Sequence, residues 1–384
     1  MRLIPAAAVG LAGLMAGAVP VSEQTAAMRL IRLPDGGIQP QVAVDRDAGV
    51  HAVYFKGEPA AGDLFYTRLD AAGSWTPAVR VNSQAGSAIA TGNVRGARMA
   101  IGRNRRIHVA WNGSKDAAPA APGGATPMLY TRSNVSGTAF EPQRNVVQVA
   151  TGLDGGGAVA ADSQGRVFVA WHAGGPESTG EGDRRVWIAA SSDEGASFAR
   201  EEPVSPRPTG ACGCCGMAGL VDRRGDVYLL YRSARDVVHR DTYLLISDDG
   251  GRRFGSTRLQ EWNIGACPMS TFALAEGPGG VRAAWETGGQ VQFARVDAGA
   301  VGAAIEAPGP IRTRRHPVLA VSARGDVLLA WTEGMSWQRG GSVAWQVFDT
   351  AGRPVGESGR APGVPTWSLV AAYAGRDGVF RIVY

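Results

Sequence analysis

Lysine is nearly missing from this sequence: of 39 basic residues in 384, only Lys56 and Lys115 are lysines. The arginines that stand in their place are scattered along the chain, so the net charge of +5 comes without any basic run. That distribution lacks the stripe of cations that tracks a phosphate backbone, and no nucleic-acid partner is expected. The arginine excess reads mainly as a coding bias, with recognition of an anion by planar guanidinium groups as the functional alternative. Charged residues make up only 19% of the chain while apolar residues reach 45%, which argues against disorder and for a packed globular protein. Beyond the N-terminus no apolar stretch approaches the length of a membrane span. Cysteine is limited to four positions, so their placement is informative.

The opening stretch MRLIPAAAVGLAGLMAGAVPVSEQTAA sets Arg2 before apolar residues and puts small residues at Ala16 and Ala18. This is the grammar of a signal peptide over residues 1–18, with cleavage after Ala18. An anchored helix is the alternative, but the run is short for a stable span. No cysteine lies near the cleavage point, so a lipid anchor is not indicated. A secreted or periplasmic protein is expected.

From residue 41 onward one unit recurs. A small apolar strand leads into a tight, usually glycine-containing turn, and a second strand ends in a large aromatic. Copies read QVAVDRDAGVHAVY, GAVAADSQGRVFVAW and PVLAVSARGDVLLAW, among others. The closing aromatics are Tyr54, Trp111, Trp171, Tyr231, Trp285, Trp331 and Tyr384, spaced 46 to 60 residues apart. Alternating apolar residues around Asp-x-x-Gly turns are hairpin signals, and the period suits a blade of four short strands. A weaker second hairpin between copies, as in RVWIAASSDEGASFAREEPVS, supplies the outer two strands. One such antiparallel sheet cannot bury both faces, whereas sheets stacked like spokes bury both and expose only short edges. The expectation is an all-β protein, a single β-propeller domain over residues 28–384. Seven blades follow from counting inner strands, with six as the alternative if the last hairpin completes the first blade. Residues 28–34, MRLIRLP, are placed to close the ring with an outer strand.

Two of the third-to-fourth-strand turns carry Ser-x-Asp-x-Gly-x-x-Phe: Ser191, Asp193, Gly195 and Phe198, then Ser247, Asp249, Gly251 and Phe254. Degenerate copies keep Ser133, Gly137 and Phe140, or Asp70, Gly73 and Trp75. The turns at 191–198 and 247–254 resemble the Asp-box of the sialidase-like (BNR-repeat) propellers. In such a turn Ser and Asp bond turn amides, Gly takes a positive φ and the aromatic plugs the gap between sheets, so these aspartates are structural. The resemblance implies the propeller fold, and in active members an arginine of a Phe/Tyr-Arg-Ile-Pro motif on the first inner strand, a Tyr–Glu nucleophile pair and an Asp acid/base. Here the corresponding place reads Gly37, Ile38, Gln39, Pro40. The arginine is absent, and Arg32 in IRLP is the nearest substitute, in a different register. Sialidase catalysis of the usual kind is therefore not expected.

Because the four strands alternate in direction, loops entering the first strand and loops joining the second to the third share one rim of the central channel. GACGCCGM, with Cys212, Cys214, Cys215 and Met217, leads into the fourth inner strand, and GACPMS, with Cys267 and Met269, into the fifth. The topology thus carries all four cysteines to one channel mouth. Three chemistries are open to them: disulfides, one of which would staple Cys267 to the earlier group; a copper or zinc site assisted by Met269, His172 or His316; or thiol redox cycling. The same rim holds Arg95, Arg98, His239, Arg240, Arg314 and Arg315. Guanidinium groups suit a carboxylate or anionic sugar, His172 and Trp337 are further ligand-binding candidates, and Glu286 with Glu333 would make the carboxylate pair of a glycosidase. His51 and His108 lie within strands and read as structural. The expected function is recognition of a carbohydrate or small anionic ligand at the channel mouth by a monomer. A divergent glycoside hydrolase and a metal-binding or redox protein are the alternatives.

Overall fold

Alternation of small apolar residues with glycine-containing turns folds each copy of the repeat into a hairpin, and every hairpin has a sheet of its own. The computed structural model describes residues 28–384 apart from Ala298 and Arg312; the expected signal peptide, residues 1–18, lies outside the described residues. The inner strands are Ile38–Val44, Arg98–Ile101, Ala158–Ala161, Ala218–Val221, Ala273–Gly277, Arg314–Val321 and Ala371–Ala374, and they define blades I to VII. Each inner strand packs beside the next, and the seventh packs beside the first. The result is a seven-bladed β-propeller. Six blades are ruled out because blade I already has four strands of its own.

Blades I to VI are antiparallel sheets, and blade VII has three strands, Ala371–Ala374, Phe380–Val383 and the N-terminal Met28–Ile31. The last of these runs parallel to Phe380–Val383, in register from Met28 opposite Phe380 to Ile31 opposite Val383. The expected closure of the ring by residues 28–34 is thus observed. Arg32 serves this closure: it donates to the Gly363 carbonyl at 2.7 Å and lies 3.7 Å over the Tyr384 ring. It is not the missing motif arginine. Ile38, at that motif position, packs against the apolar junction of blades I and II.

The core is distributed over the junctions. Second strands such as Ile107–Asn112, Val167–Ala173 and Val227–Arg232 are buried throughout, as expected for strands covered on both faces. Seven apolar clusters occupy the seven junctions, and Trp111, Trp171, Tyr231, Trp285, Trp331 and Tyr54 each belong to one of them. The two Asp-boxes brace these junctions. In each, serine Oγ donates to the aspartate and accepts the glycine amide at 2.8 Å, and the aspartate accepts an amide four residues on at 2.9 Å. Gly195 and Gly251 have φ of 76° and 85° and lie against Tyr130 and Phe168 of the preceding blade, where no side chain fits. Phe198 meets Tyr130 edge-on at 4.8 Å. The Asp193 carboxyl is pulled down to about 2, first by Ser197, as befits a turn brace. Among the described residues no helix is long and apolar enough to cross a membrane.

Candidate functional site

Two inner strands begin alike, at Gln39–Pro40 and His316–Pro317. Proline donates nothing to a ladder, and the register slips at both places, between Ile38 and Gln41 and between Arg315 and Val318. The residue before each proline has positive φ, 54° for Gln39 and 52° for His316, a conformation that costs on the order of 1–3 kcal/mol and needs external support. Gln39 receives it from hydrogen bonds to the Ala90 and Trp367 carbonyls, both 2.7 Å. His316 sits beside Thr271, with Nδ1 3.4 Å from the hydroxyl. The bulge carries the His316 imidazole onto the wall of a channel cavity of about 200 Å³ that Arg98, Met217 and Thr271 also line.

The charges at this mouth do not balance. Burial pushes the Arg98 guanidinium down to about 10, and among the described residues its one hydrogen bond is a 3.4 Å contact with the carbonyl of its neighbour Ala97. Neither Arg98 nor Arg315 forms an ion pair among the described residues. His316 is held neutral, its pKa lowered to about 3 by burial and then by Arg315 and Arg98. Arg315, His316, Met269 and Trp337 share a recess at the rim with Gly92 and Asn93. Trp337 is 53% exposed and reaches across from blade VI to cover Gly92. Of the ligand-binding candidates, Arg98, Arg315 and Trp337 thus lie at one mouth.

Other candidates are engaged elsewhere. Arg314 donates to Gln290 at 2.6 Å and to the Ala307, Pro308 and Pro310 carbonyls, over the Trp331 ring. Its guanidinium is built into the junction of blades V and VI, where neighbouring carbonyls consume its donors. Glu333 accepts from Trp331 Nε1 and Arg360 Nε, both 3.0 Å. Glu286 accepts the Gly289 amide at 2.7 Å and has Arg232 3.9 Å away. Burial raises its carboxyl, and Arg232 opposes that shift. His172 is fully buried, without a hydrogen-bond partner on either ring nitrogen among the described residues, and burial lowers its pKa to about 4.

A polar position recurs at the end of the second strands. The residue directly after the closing aromatic is polar in blades II to VI: Asn112, His172, Arg232, Glu286 and Thr332, all buried. Period-two alternation turns these side chains away from their aromatic neighbours. Asn112 donates to the Gly155 carbonyl at 2.8 Å, and Arg232 to the Arg240 and Glu286 carbonyls at 2.8 and 2.6 Å. This layer supports the loops that form the mouth.

Arg232 also faces a thiol pocket. The Cys212 amide is anchored on the Arg232 carbonyl at 2.8 Å, and the Cys215 amide turns back onto the Cys212 carbonyl at 3.3 Å. Glu181 accepts the Gly213 amide and pairs with Arg240, both at 2.8 Å. The turn brings Cys212 Sγ to 3.2 Å from Cys214 Sγ and 3.5 Å from Cys215 Sγ, and the three sulfurs lie within 4.8 Å of one another. Burial opposes ionisation of Cys215, but hydrogen bonding from Cys212 and Cys214 and the charge of Arg232 prevail and lower its pKa. The Cys214 thiol is pushed up by bonding to Cys212 and Cys215 and by burial. Three of the four cysteines form the cluster: Cys267 is exposed and outside it, and all four thiols are free. The loop before the fifth inner strand leaves Cys267 on the surface, so no staple joins blades IV and V. His316 is likewise outside the cluster, and Met269 lines the recess with Arg315.

No family model matches the chain, and no curated protein matches it. Solved structures do. A protein of unknown function from Dyadobacter fermentans has a TM-score of 0.55 at 14% identity, covering 80% of this chain and 94% of its own. The α-L-arabinanase of Penicillium chrysogenum, complexed with arabinobiose, has 0.53 at 14%, covering 82% and 94%. The Hadza microbial sialidase Hz136 has 0.50 at 12%, covering 85% and 74%. At such identities the likeness concerns the fold alone, and with the Asp-boxes and seven blades it makes this chain a sialidase-like β-propeller in architecture.

Proposed function

We propose that the protein is an exported, monomeric propeller that recognises a carboxylated sugar or another small anion at the channel mouth, without sialidase-type catalysis. The observation that carries this reading is Arg98: a partly buried guanidinium on the wall of the channel cavity that has no carboxylate partner among the described residues. An unpaired buried charge is costly, and an anion would supply its counter-charge. Arg315 adds a second unpaired cation, neutral His316 and Thr271 add hydrogen-bonding groups, and Trp337 offers a flat apolar face of the kind that stacks on a sugar ring. A cavity of about 200 Å³ is below the usual range for drug-sized ligands, which favours one sugar ring or a smaller anion. Export rests on the residue pattern of positions 1–18. The non-catalytic part rests on Ile38 at the motif-arginine position and on Glu333, both of whose carboxylate oxygens accept from structural partners.

Calorimetric titration with glucuronate and N-acetylneuraminate against neutral glucose tests the binding, with the acids expected to bind and glucose to stay silent. Equal binding of glucose removes the anion reading. Fluorogenic glycosides test the chemistry: turnover that disappears in Glu286→Gln or Glu333→Gln would establish a hydrolase and overturn the non-catalytic part.

A further inference from the structure

The thiol pocket lies outside the groups proposed for anion binding, and its construction goes beyond what packing requires. Within four residues Cys212, Cys214 and Cys215 set three sulfurs 3.2 to 3.5 Å apart along the two closest edges. Those separations are too long for a disulfide, whose bond is about 2.05 Å, and any one disulfide would leave the third thiol unpaired. Sulfurs held about 2.3 Å from a metal stand about 4 Å apart in a trigonal plane. The cluster is therefore within an ångström of the edge lengths of a three-sulfur metal site.

Its surroundings suit an anionic thiolate group. Arg232 is fully buried and acts electrostatically on Cys215, and Arg240 acts on Cys212. Two fixed cations beside three thiols offset the charge that accumulates when the thiols ionise together. His172 is entirely buried nearby, acts electrostatically with Cys215, and has both ring nitrogens unpartnered. A buried polar group without a partner calls for an explanation. Next to three thiols it is a ready second-layer donor or acceptor for a charged centre. The backbone is fixed as well, with the amides of Cys212, Cys215 and Gly216 hydrogen-bonded at 2.8 to 3.3 Å and that of Gly213 held by Glu181.

We infer that Cys212, Cys214 and Cys215 form a binding site for a single three-coordinate copper(I) ion. Thiolates select soft d10 cations. Zinc completes a tetrahedron, with water as the fourth ligand where the protein gives only three, whereas copper(I) is satisfied by three thiolates, and among the described residues no histidine, carboxylate or further cysteine comes within 4.8 Å of all three sulfurs. Binding exchanges thiol protons for the metal, and the half-exposed Cys214 provides the entrance.

The test is anaerobic titration of the reduced full chain with copper(I), read by thiolate-to-copper ultraviolet absorption and by competition with the chelator bathocuproine disulfonate. One equivalent is expected to bind. Cys214→Ser and Cys215→Ser should each weaken binding by at least about tenfold, while Cys267→Ser and, on the turn face, Arg105→Ala leave it unchanged. Thermal melts establish that the variants are folded. If they are not, X-ray absorption of the copper-loaded wild type, expected to show three sulfur neighbours, decides the matter. Failure to bind copper(I), equal binding by Cys214→Ser, a fourth strong ligand, or preferential stoichiometric uptake of zinc would each overturn the assignment.

Discussion

The two faces of the ring differ in the opposite sense from their size. The face made by the short turns holds the larger hollow, about 660 Å³, yet three of the four arginines that line it are matched, Arg105 with Asp47 at 2.7 Å, Arg103 with Glu194 at 2.6 Å and Arg223 with Glu276 at 3.8 Å, and the fourth, Arg46, is exposed to solvent. Its turns are also repetitive. Asp45, Asp162 and Asp222 each accept the amides two and four residues ahead at 2.7 to 3.0 Å. The loop face has a cavity of about 200 Å³, but there Arg98 and Arg315 are unmatched and each blade contributes a different loop. Unbalanced charge on an irregular rim marks a site better than volume does, because repetition serves stability and a deviation from it needs another reason.

Substitutions can sharpen that contrast, starting with the junctions common to both faces. Trp171→Ala removes a fully buried indole and should cost about 3–5 kcal/mol in denaturant unfolding; a loss below about 1 kcal/mol would mean the junctions are not the core. At the mouth, Arg98→Ala should lower glucuronate affinity by about 1.5–3 kcal/mol, the worth of a charged hydrogen bond, without lowering Tm, whereas Arg105→Ala on the turn face should leave affinity unchanged. Equal effects of the two would erase the distinction between faces.

Acid provides a third comparison. His108, His172 and His316 are held neutral in the fold with pKa values near 3, 4 and 3, all first through burial, against 6.5 when unfolded. The unfolded chain is then the better proton binder below 6.5. Their contribution is full above that pH and is lost as pH falls toward 4, at up to about 1.4 kcal/mol per pH unit for each histidine. Asp193 acts lower, its stabilisation present above its ordinary 3.8 and lost as pH falls toward about 2. A Tm profile should therefore fall first between pH 6.5 and 4, and a profile flat down to pH 4 would contradict the buried neutral histidines. The smallest effect is expected for Trp337→Ala, within about 0.5 kcal/mol of wild-type stability but with weakened sugar binding in the same calorimetric titration.

Much of the architecture was legible because the aromatic closing each second strand recurs at nearly constant spacing, and a buried junction tolerates little else there. The Asp-boxes were legible for the same reason, as local hydrogen bonding dictates their residues. The site was legible only in part. Arg314 and Arg315 are neighbours that alternation sends to opposite sides, and which of them meets the channel depends on the bulge at His316–Pro317. A proline inside a strand signals such a bulge without giving its direction. Cys212, Cys214 and Cys215 are close in sequence and close in space, while Cys267 depended on the path of an exposed loop, which hydrophobic patterning does not record. Arg232 carries a clear signal, a charge at the end of an otherwise apolar strand, directly after the closing aromatic Tyr231.

The most direct test of the account is a crystal structure of the protein soaked with glucuronate. The account predicts the carboxylate against Arg98 and Arg315 at the loop-face mouth, beside His316. Glucuronate bound instead in the larger hollow among Asp47, Arg103 and Arg105, with the mouth empty, would contradict it.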